Sequence, residues 1–267
     1  MLELLGQIVI ALRLSKRLKS WRQRRACLGY FFRRALGGGS RSRHLRLDFP
    51  EISLLISERE SQLTPYIEII LEGIYDRNDV MRARAGESVI DVGANVGVFA
   101  IVQARRGARV VCFEPHPGAF ANLLQNLKLN GVARQVTAVN AAVSTSDGMA
   151  SLVTASGSVS SHLGSAGAEE YVSVNTVRLD SELRRLGIER PDLLKVDVEG
   201  AELDVLAGAD QTLRHVRAAI LEVHIGVDST AVMSAMAAHG LHPATGSNPP
   251  NYYFARPGGS RAVEDTI

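Results

Sequence analysis

The chain has 267 residues, 46% hydrophobic and 22% charged, with 30 Lys/Arg, 28 Asp/Glu and two cysteines, Cys27 and Cys112. That length allows one α/β core plus an added segment, and two distant cysteines exclude a disulfide framework, which fits a reducing cytoplasm. The net charge of +2 is unevenly spread: residues 1–47 carry 12 Lys/Arg against one acid, Glu3, so the rest of the chain is net acidic.

Residues 2–36 interleave Leu2, Leu5, Ile8, Val9 and Leu12 with Arg13, Lys16, Arg17, Lys19, Arg22, Arg24 and Arg25. The longest uncharged stretch there, 4–12, is nine residues, too short to cross a bilayer, and no small-residue cleavage site follows to make a signal peptide. The pattern predicts a basic amphipathic helix that can lie on an anionic membrane, as a peripheral contact on the inner surface. A partner-binding tail, a nucleic-acid tail and a disordered leader are the other readings; nucleic acid is not favoured. Gly37-Gly-Gly-Ser40 reads as a linker, so residues 1–50 form an extension. Residues 51–87 predict a strand over 52–56 and a helix with Ile67, Ile70, Leu71 and Ile74 on one face. That segment covers the domain at 88–257; Glu72 and Tyr75 are its candidates to face a site, with an exposed Glu and a packed Tyr the favoured reading.

Residues 88–97, Ser-Val-Ile-Asp-Val-Gly-Ala-Asn-Val-Gly, predict a buried parallel strand, a glycine turn and a helix start, which would aim backbone N–H groups at a ligand. A dinucleotide fingerprint needs Gly at its first, third and sixth positions; these are Gly93, Asn95 and Val98, so NAD fails. The motif instead puts Asp91 two residues before Gly93, facing a positively charged ligand. S-adenosylmethionine, with its ammonium and sulfonium, fits that acid. Glu114, at the end of the next strand (109–113), suits two ribose hydroxyls. Asp91 as a plain turn cap is the competing reading.

Pro115 and Pro117 open a helix with Phe120, Leu123, Leu124 and Leu127 on one face, and Gly131 closes it. Residues 135–143 predict the third strand, with Ala142 leaving room for adenine. Residues 144–168, rich in serine and glycine, predict a mobile loop, read as a surface excursion or a substrate lid. Strands follow over 171–177, 192–196 and 219–223, with an antiparallel last strand over 252–255 and a loose tail over 258–267. Strands alternating with helices argue a doubly wound, mostly parallel sheet.

Five blocks in this order resemble the FkbM family of S-adenosylmethionine-dependent methyltransferases: Val89–Gly97, Phe113–Pro117, Asn126–Asn130, Leu194-Lys-Val-Asp-Val-Glu-Gly-Ala-Glu202 and Leu221-Glu-Val-His224. The resemblance covers about residues 66–256. It implies the class I (Rossmann-like) methyltransferase fold and O-methylation of a sugar or small-molecule hydroxyl. The expected cofactor set is Asp91, Gly93, Ala94, Asn95, Gly97, Glu114, His116, Ala142 and Asp197, with His116 lining the adenosine pocket.

An alcohol proton is barely acidic, so a base is needed beside the methyl group. Asp197, Glu199, Glu222 and His224 lie at the ends of the fourth and fifth strands. His224 is the expected base because its ordinary pKa is near neutrality, with Asp197 and Glu199 beside it. Glu199 and Glu202 would share a helical face if their helix started early. The cluster could hold a divalent metal, but no further Asp/Asn ligand stands at a telling spacing, and none is expected. An N-methyltransferase and a catalytically inactive membrane-associated binding protein are the alternatives. The acceptor and oligomeric state are not legible.

Overall fold

The computed structural model describes residues 2–35, 44–57, 63–76, 79–154, 161–163, 170–245 and 247–257. Two helices, α1 (Leu2–Arg17) and α2 (Trp21–Ala35), precede an antiparallel hairpin of β1 (His44–Asp48) and β2 (Ser53–Ser57). The helices are not a detached extension. They bury Leu14, Leu18, Cys27 and Tyr30 in one cluster with Leu47, Phe49 and Tyr66. Gln23 Nε2 donates to Asp48 Oδ2 (2.6 Å), Arg17 Nε donates to Tyr66 Oη (3.2 Å), and Arg17 also pairs with Glu51. The proposed linker at 37–40 lies outside the described residues.

The helix expected over 67–74 is a short α3 (Thr64–Tyr66) running into a π-helical turn, Ile67–Leu71, followed by a 3₁₀ turn at Asp79–Met81. The remaining elements are β3 (Ser88–Val92), α4 (Val98–Arg105), β4 (Arg109–Phe113), α5 (Pro117–Leu129), β5 (Val136–Val139), β6 (Ala142–Ser144), β7 (Gly148–Thr154), β8 (Ser161–Leu163), β9 (Glu170–Arg178), α6 (Leu179–Arg185), β10 (Leu193–Val196), α7 (Glu202–Ala207), α8 (Asp210–His215), β11 (Ala218–Glu222), α9 (Ser229–Ala238), β12 (His242–Pro243) and β13 (Asn251–Ala255).

The main sheet has seven strands in the order β12-β13-β11-β10-β3-β4-β5. The five from β11 to β5 are parallel, while β13 runs antiparallel to β11, as expected, and β12 to β13. Side chains alternate across the sheet: Val89, Val110 and Cys112 enter one apolar cluster, and Ile90, Val92, Val111 and Phe113 the other. From β3 the chain builds outward through β4 and β5, then returns to lay β10 and β11 on the opposite side. That reversal between β3 and β10 is a switch point, where open α/β sheets bind ligands beyond their carboxyl ends.

Asn126 and Asn130, one helical turn apart on α5, each offer an amide to β2. Asn126 accepts from Leu55 N–H (2.6 Å) and donates to Leu55 O (3.1 Å); Asn130 accepts from Ser53 N–H (3.0 Å) and donates to Ser53 O (2.7 Å). The two amides act as a strand edge, since i and i+4 on a helix match i and i+2 on a strand.

Part of the segment expected to be a mobile Ser/Gly loop is strand: β7 and β8 fall inside it and join β6 and the expected strand β9, in the order β6-β9-β7-β8, as a second sheet of four strands. Leu152 and Val174 are buried there; their serine neighbours face outward, which disguised the alternation. The parts at 155–160 and 164–169, and the tail over 258–267, lie outside the described residues.

Candidate active site

β3 delivers Asp91 and then the turn. Gly93, Asn95 and Gly97 all adopt positive φ (80°, 49° and 86°). Gly93 is obligatory for a second reason: a Cβ there would lie 1.7 Å from the carbonyl oxygen of Asp197, so β3 and β10 touch backbone to backbone at the switch point. Four N–H groups of this turn are bonded within the protein, where the sequence led us to expect them turned toward a ligand. Gly93 and Ala94 donate to Phe113 O (3.0 and 2.9 Å), Asn95 to Glu114 Oε2 (2.8 Å) and Gly97 to Ala94 O (2.9 Å).

Asp91 is fully buried rather than open to the crevice. Its register partner on β10 is Lys195, on the same face of the sheet, and Lys195 Nζ lies 3.2 Å from Asp91 Oδ1. This ion pair is the closest charged contact of the Asp91 carboxylate among the described residues. Burial pushes the Asp91 carboxyl up and Lys195 pulls it back. Lys195 also donates to Gly93 O (2.8 Å) and lies 3.2 Å from Asp197 Oδ2. Burial opposes its charge, but Asp91 and Asp197 outweigh burial and hold it protonated. Sequence reading missed this lysine, which joins the turn to both acids.

Glu114 ends β4, as expected. It is buried, accepts from the N–H groups of Asn95 and His116 (both 2.8 Å), and burial lifts its carboxyl to about 7 against those two donors. His116 is committed to the fold: its Nδ1 accepts from Ala119 N–H (3.2 Å) and caps α5, as a polar side chain at an N-cap does. Ala142 does not end the third strand. β5 stops at Val139, Asn140 turns the chain by donating to Glu114 O (2.7 Å) and Pro115 O (3.1 Å), and Ala142 opens β6 in the second sheet.

Asp197 follows β10, and His224 lies two residues beyond β11. Between them, Glu199 sits at φ +53° and Gly200 at +107°, so the turn reverses before α7 begins at Glu202. Glu199 and Glu202 therefore share no helical face, yet both reach His224. Glu202, itself fully buried, holds Nδ1 at 2.6 Å; Nε2 faces Glu199 at 3.2 Å, Glu222 at 3.9 Å and Asp197 at 4.0 Å. Asp197, Glu199 and His224 bring one ligand atom each within 4.8 Å of one another.

Burial opposes a charge on His224, but Glu202, Glu199 and Asp197 outweigh it and raise the imidazole to about 9. The expected near-neutral base is thus an imidazolium at neutral pH. The carboxylates respond in kind: burial first, then Asp197, raises Glu222. Glu68, from the π-helical turn, is lifted to about 7 by burial first and then by Glu222 and Asp197. Glu68, not the exposed Glu72, is the acid this segment brings to the cluster. Tyr75 is buried, edge-on to Phe99 and 5.9 Å from Lys195 Nζ. Six acids (Glu68, Asp197, Glu199 and Glu222, with the fully buried Asp91 and Glu202) thus surround the two cationic groups, Lys195 and His224.

A family model described as the methyltransferase FkbM domain matches residues 91–240, from Asp91 through α9. The chain belongs to the FkbM methyltransferase family. Three relatives show its breadth. The AMB antimetabolite synthetase AmbE of Pseudomonas aeruginosa is 30% identical over 76% of this chain and 12% of its own length. The 2-O-methyltransferase NoeI of Sinorhizobium fredii is 33% identical over 48% of this chain and 60% of its own. The 31-O-demethyl-FK506 methyltransferase FkbM of Streptomyces tacrolimicus is 33% identical over 60% and 73%. The chain thus spans 12% of AmbE and 60% of NoeI, less than two thirds of either.

Membership of this FkbM family implies S-adenosylmethionine, and the residues fit it. Glu114 keeps lone pairs beyond its two backbone donors for ribose hydroxyls, the acid excess matches a group with an ammonium and a sulfonium, and the crevice forms where Gly93 lets two backbones meet.

Proposed function

We propose that this family member is an S-adenosylmethionine-dependent O-methyltransferase acting on a hydroxyl of a sugar or small-molecule natural product. The observation that carries it is His224 gripped by Glu202 on one nitrogen and facing Asp197, Glu199 and Glu222 with the other. The named hydroxyl chemistry of NoeI and FkbM supports the same acceptor class.

When bound, the cofactor supplies an electrophilic methyl group. Glu114 would hold the ribose, and Asp197 and Glu199 the positive charge. Asp91 then acts as a positioning residue through Lys195. Asp197 and Glu199, which with Glu202 hold His224 protonated, are the carboxylates that would hold a cation. Compensating them lowers the imidazole pKa from about 9 toward its ordinary value, and Nε2 can then take the hydroxyl proton. Glu202 fixes the tautomer, keeping the proton on Nδ1 and the Nε2 lone pair toward the crevice.

The acid excess also favours a second reading, an amine acceptor held as an ammonium. Following S-adenosylhomocysteine release with matched hydroxyl and amine acceptors separates the two. His224→Ala should lower turnover on the hydroxyl by about 10²–10⁴-fold. Turnover restricted to amines would overturn the O-methyl assignment, and hydroxyl turnover untouched by His224→Ala would move the base role to Asp197 or Glu199.

A further inference from the structure

The N-terminal helices bury one face and leave another bare. On α1, Ile8, Val9 and Leu12 are exposed; on α2, Trp21 is 62% exposed and Phe32 66%, with Leu28 between them. Trp21, Arg25, Leu28 and Phe32 recur at i, i+4, i+7 and i+11, which is one stripe of a helix. Arg13, Lys16, Lys19, Arg22, Arg24 and Arg25 are all exposed around that stripe, and Glu3 is the one acid in residues 1–47. A hollow of about 300 Å³ opens here, lined by Trp21, Arg22, Arg25, Ala26 and Arg33. The Arg22 and Arg25 guanidiniums stand 5.9 and 5.6 Å from the Trp21 ring.

Among the described residues no helix is long and apolar enough to cross a membrane. Exposed aromatic and aliphatic side chains beside exposed Arg and Lys suit the interface plane of a bilayer, apolar groups among acyl chains and cations among headgroups. Buried Leu14, Leu18, Cys27 and Tyr30 fix the face to the domain. We propose that the α1–α2 face docks on anionic phospholipid bilayers, with the Trp21–Arg22–Arg25–Arg33 hollow taking a lipid phosphate. The occupant follows from charge complementarity: an anionic surface matches this basic face, whereas a second copy docked face to face would oppose it with another like it.

Trp21 is the one tryptophan of the chain, so intrinsic fluorescence reports this face alone. The full chain, titrated with vesicles of equal phosphatidylglycerol and phosphatidylcholine at ~0.05 M salt, should show a blue shift and float with the vesicles. At ~0.5 M salt partitioning should weaken markedly, since exposed charges are then screened. The double variant Arg22→Glu, Arg25→Glu should lose at least about tenfold in partitioning, and Phe32→Ala about as much through lost apolar burial, with melting temperature and cofactor affinity unchanged in both. Pure phosphatidylcholine vesicles and inorganic phosphate should leave the spectrum as it was. The proposal is overturned if anionic vesicles cause no shift, if inorganic phosphate alone reproduces it, if a DNA duplex binds while vesicles do not, or if the free chain is a dimer with Trp21 already shielded.

Discussion

Lys195→Met removes the cation that the site is strung on while keeping a long apolar side chain. In the native chain Nζ lies 3.2 Å from both Asp91 and Asp197 and 2.8 Å from Gly93 O. Without it Asp91, fully buried, has no counter-charge, and the Gly93 carbonyl loses its donor. Breaking one side of a buried pair costs about 3–5 kcal/mol, a large part of a total stability of about 5–15 kcal/mol. Urea unfolding followed by circular dichroism should show a lower midpoint at an unchanged slope. Adding Asp91→Asn should recover much of the loss, because both charges are then gone. A single variant within about 1 kcal/mol of wild type, or a double variant worse than the single, would refute the reasoning.

Gly93→Ala should abolish cofactor binding or folding, because its Cβ would lie 1.7 Å from Asp197 O; normal binding by calorimetry would show that the strands do not meet there. His224 adds a pH signature. Its folded pKa, about 9, exceeds its ordinary 6.5, so its contribution is complete below pH 6.5 and is lost as pH rises through 9. Thermal melts should show wild type losing on the order of 2 kcal/mol more than His224→Gln across that window; parallel curves would contradict the imidazolium.

Much of this was legible in the chain. Val89–Gly97 and Phe113–Glu114 announce a strand–turn–strand pair because β-branched runs, glycine and acid each carry a local requirement that spacing alone reveals. Lys195 stayed hidden because a lysine inside Leu-Leu-Lys-Val has no local reason; its reason is Asp91, reached only through the register of β3 with β10. Glu68 was missed for the same cause, since its partners Glu222 and Asp197 come from distant strand ends. Ala142 was misplaced because the break at Asn140 depends on two carbonyls in another loop. Asn126 and Asn130 were visible as a motif, but their use as an edge for β2 was not.

Calorimetric titration with S-adenosylmethionine tests the central claim most directly. Wild type should bind one equivalent, NADH should give no heat, and Glu114→Gln, which keeps the shape of the side chain but not its charge, should weaken binding by about 1.5–3 kcal/mol. Absence of binding to wild type, or affinity untouched by Glu114→Gln, would contradict a cofactor pocket at the carboxyl ends of β3 and β4.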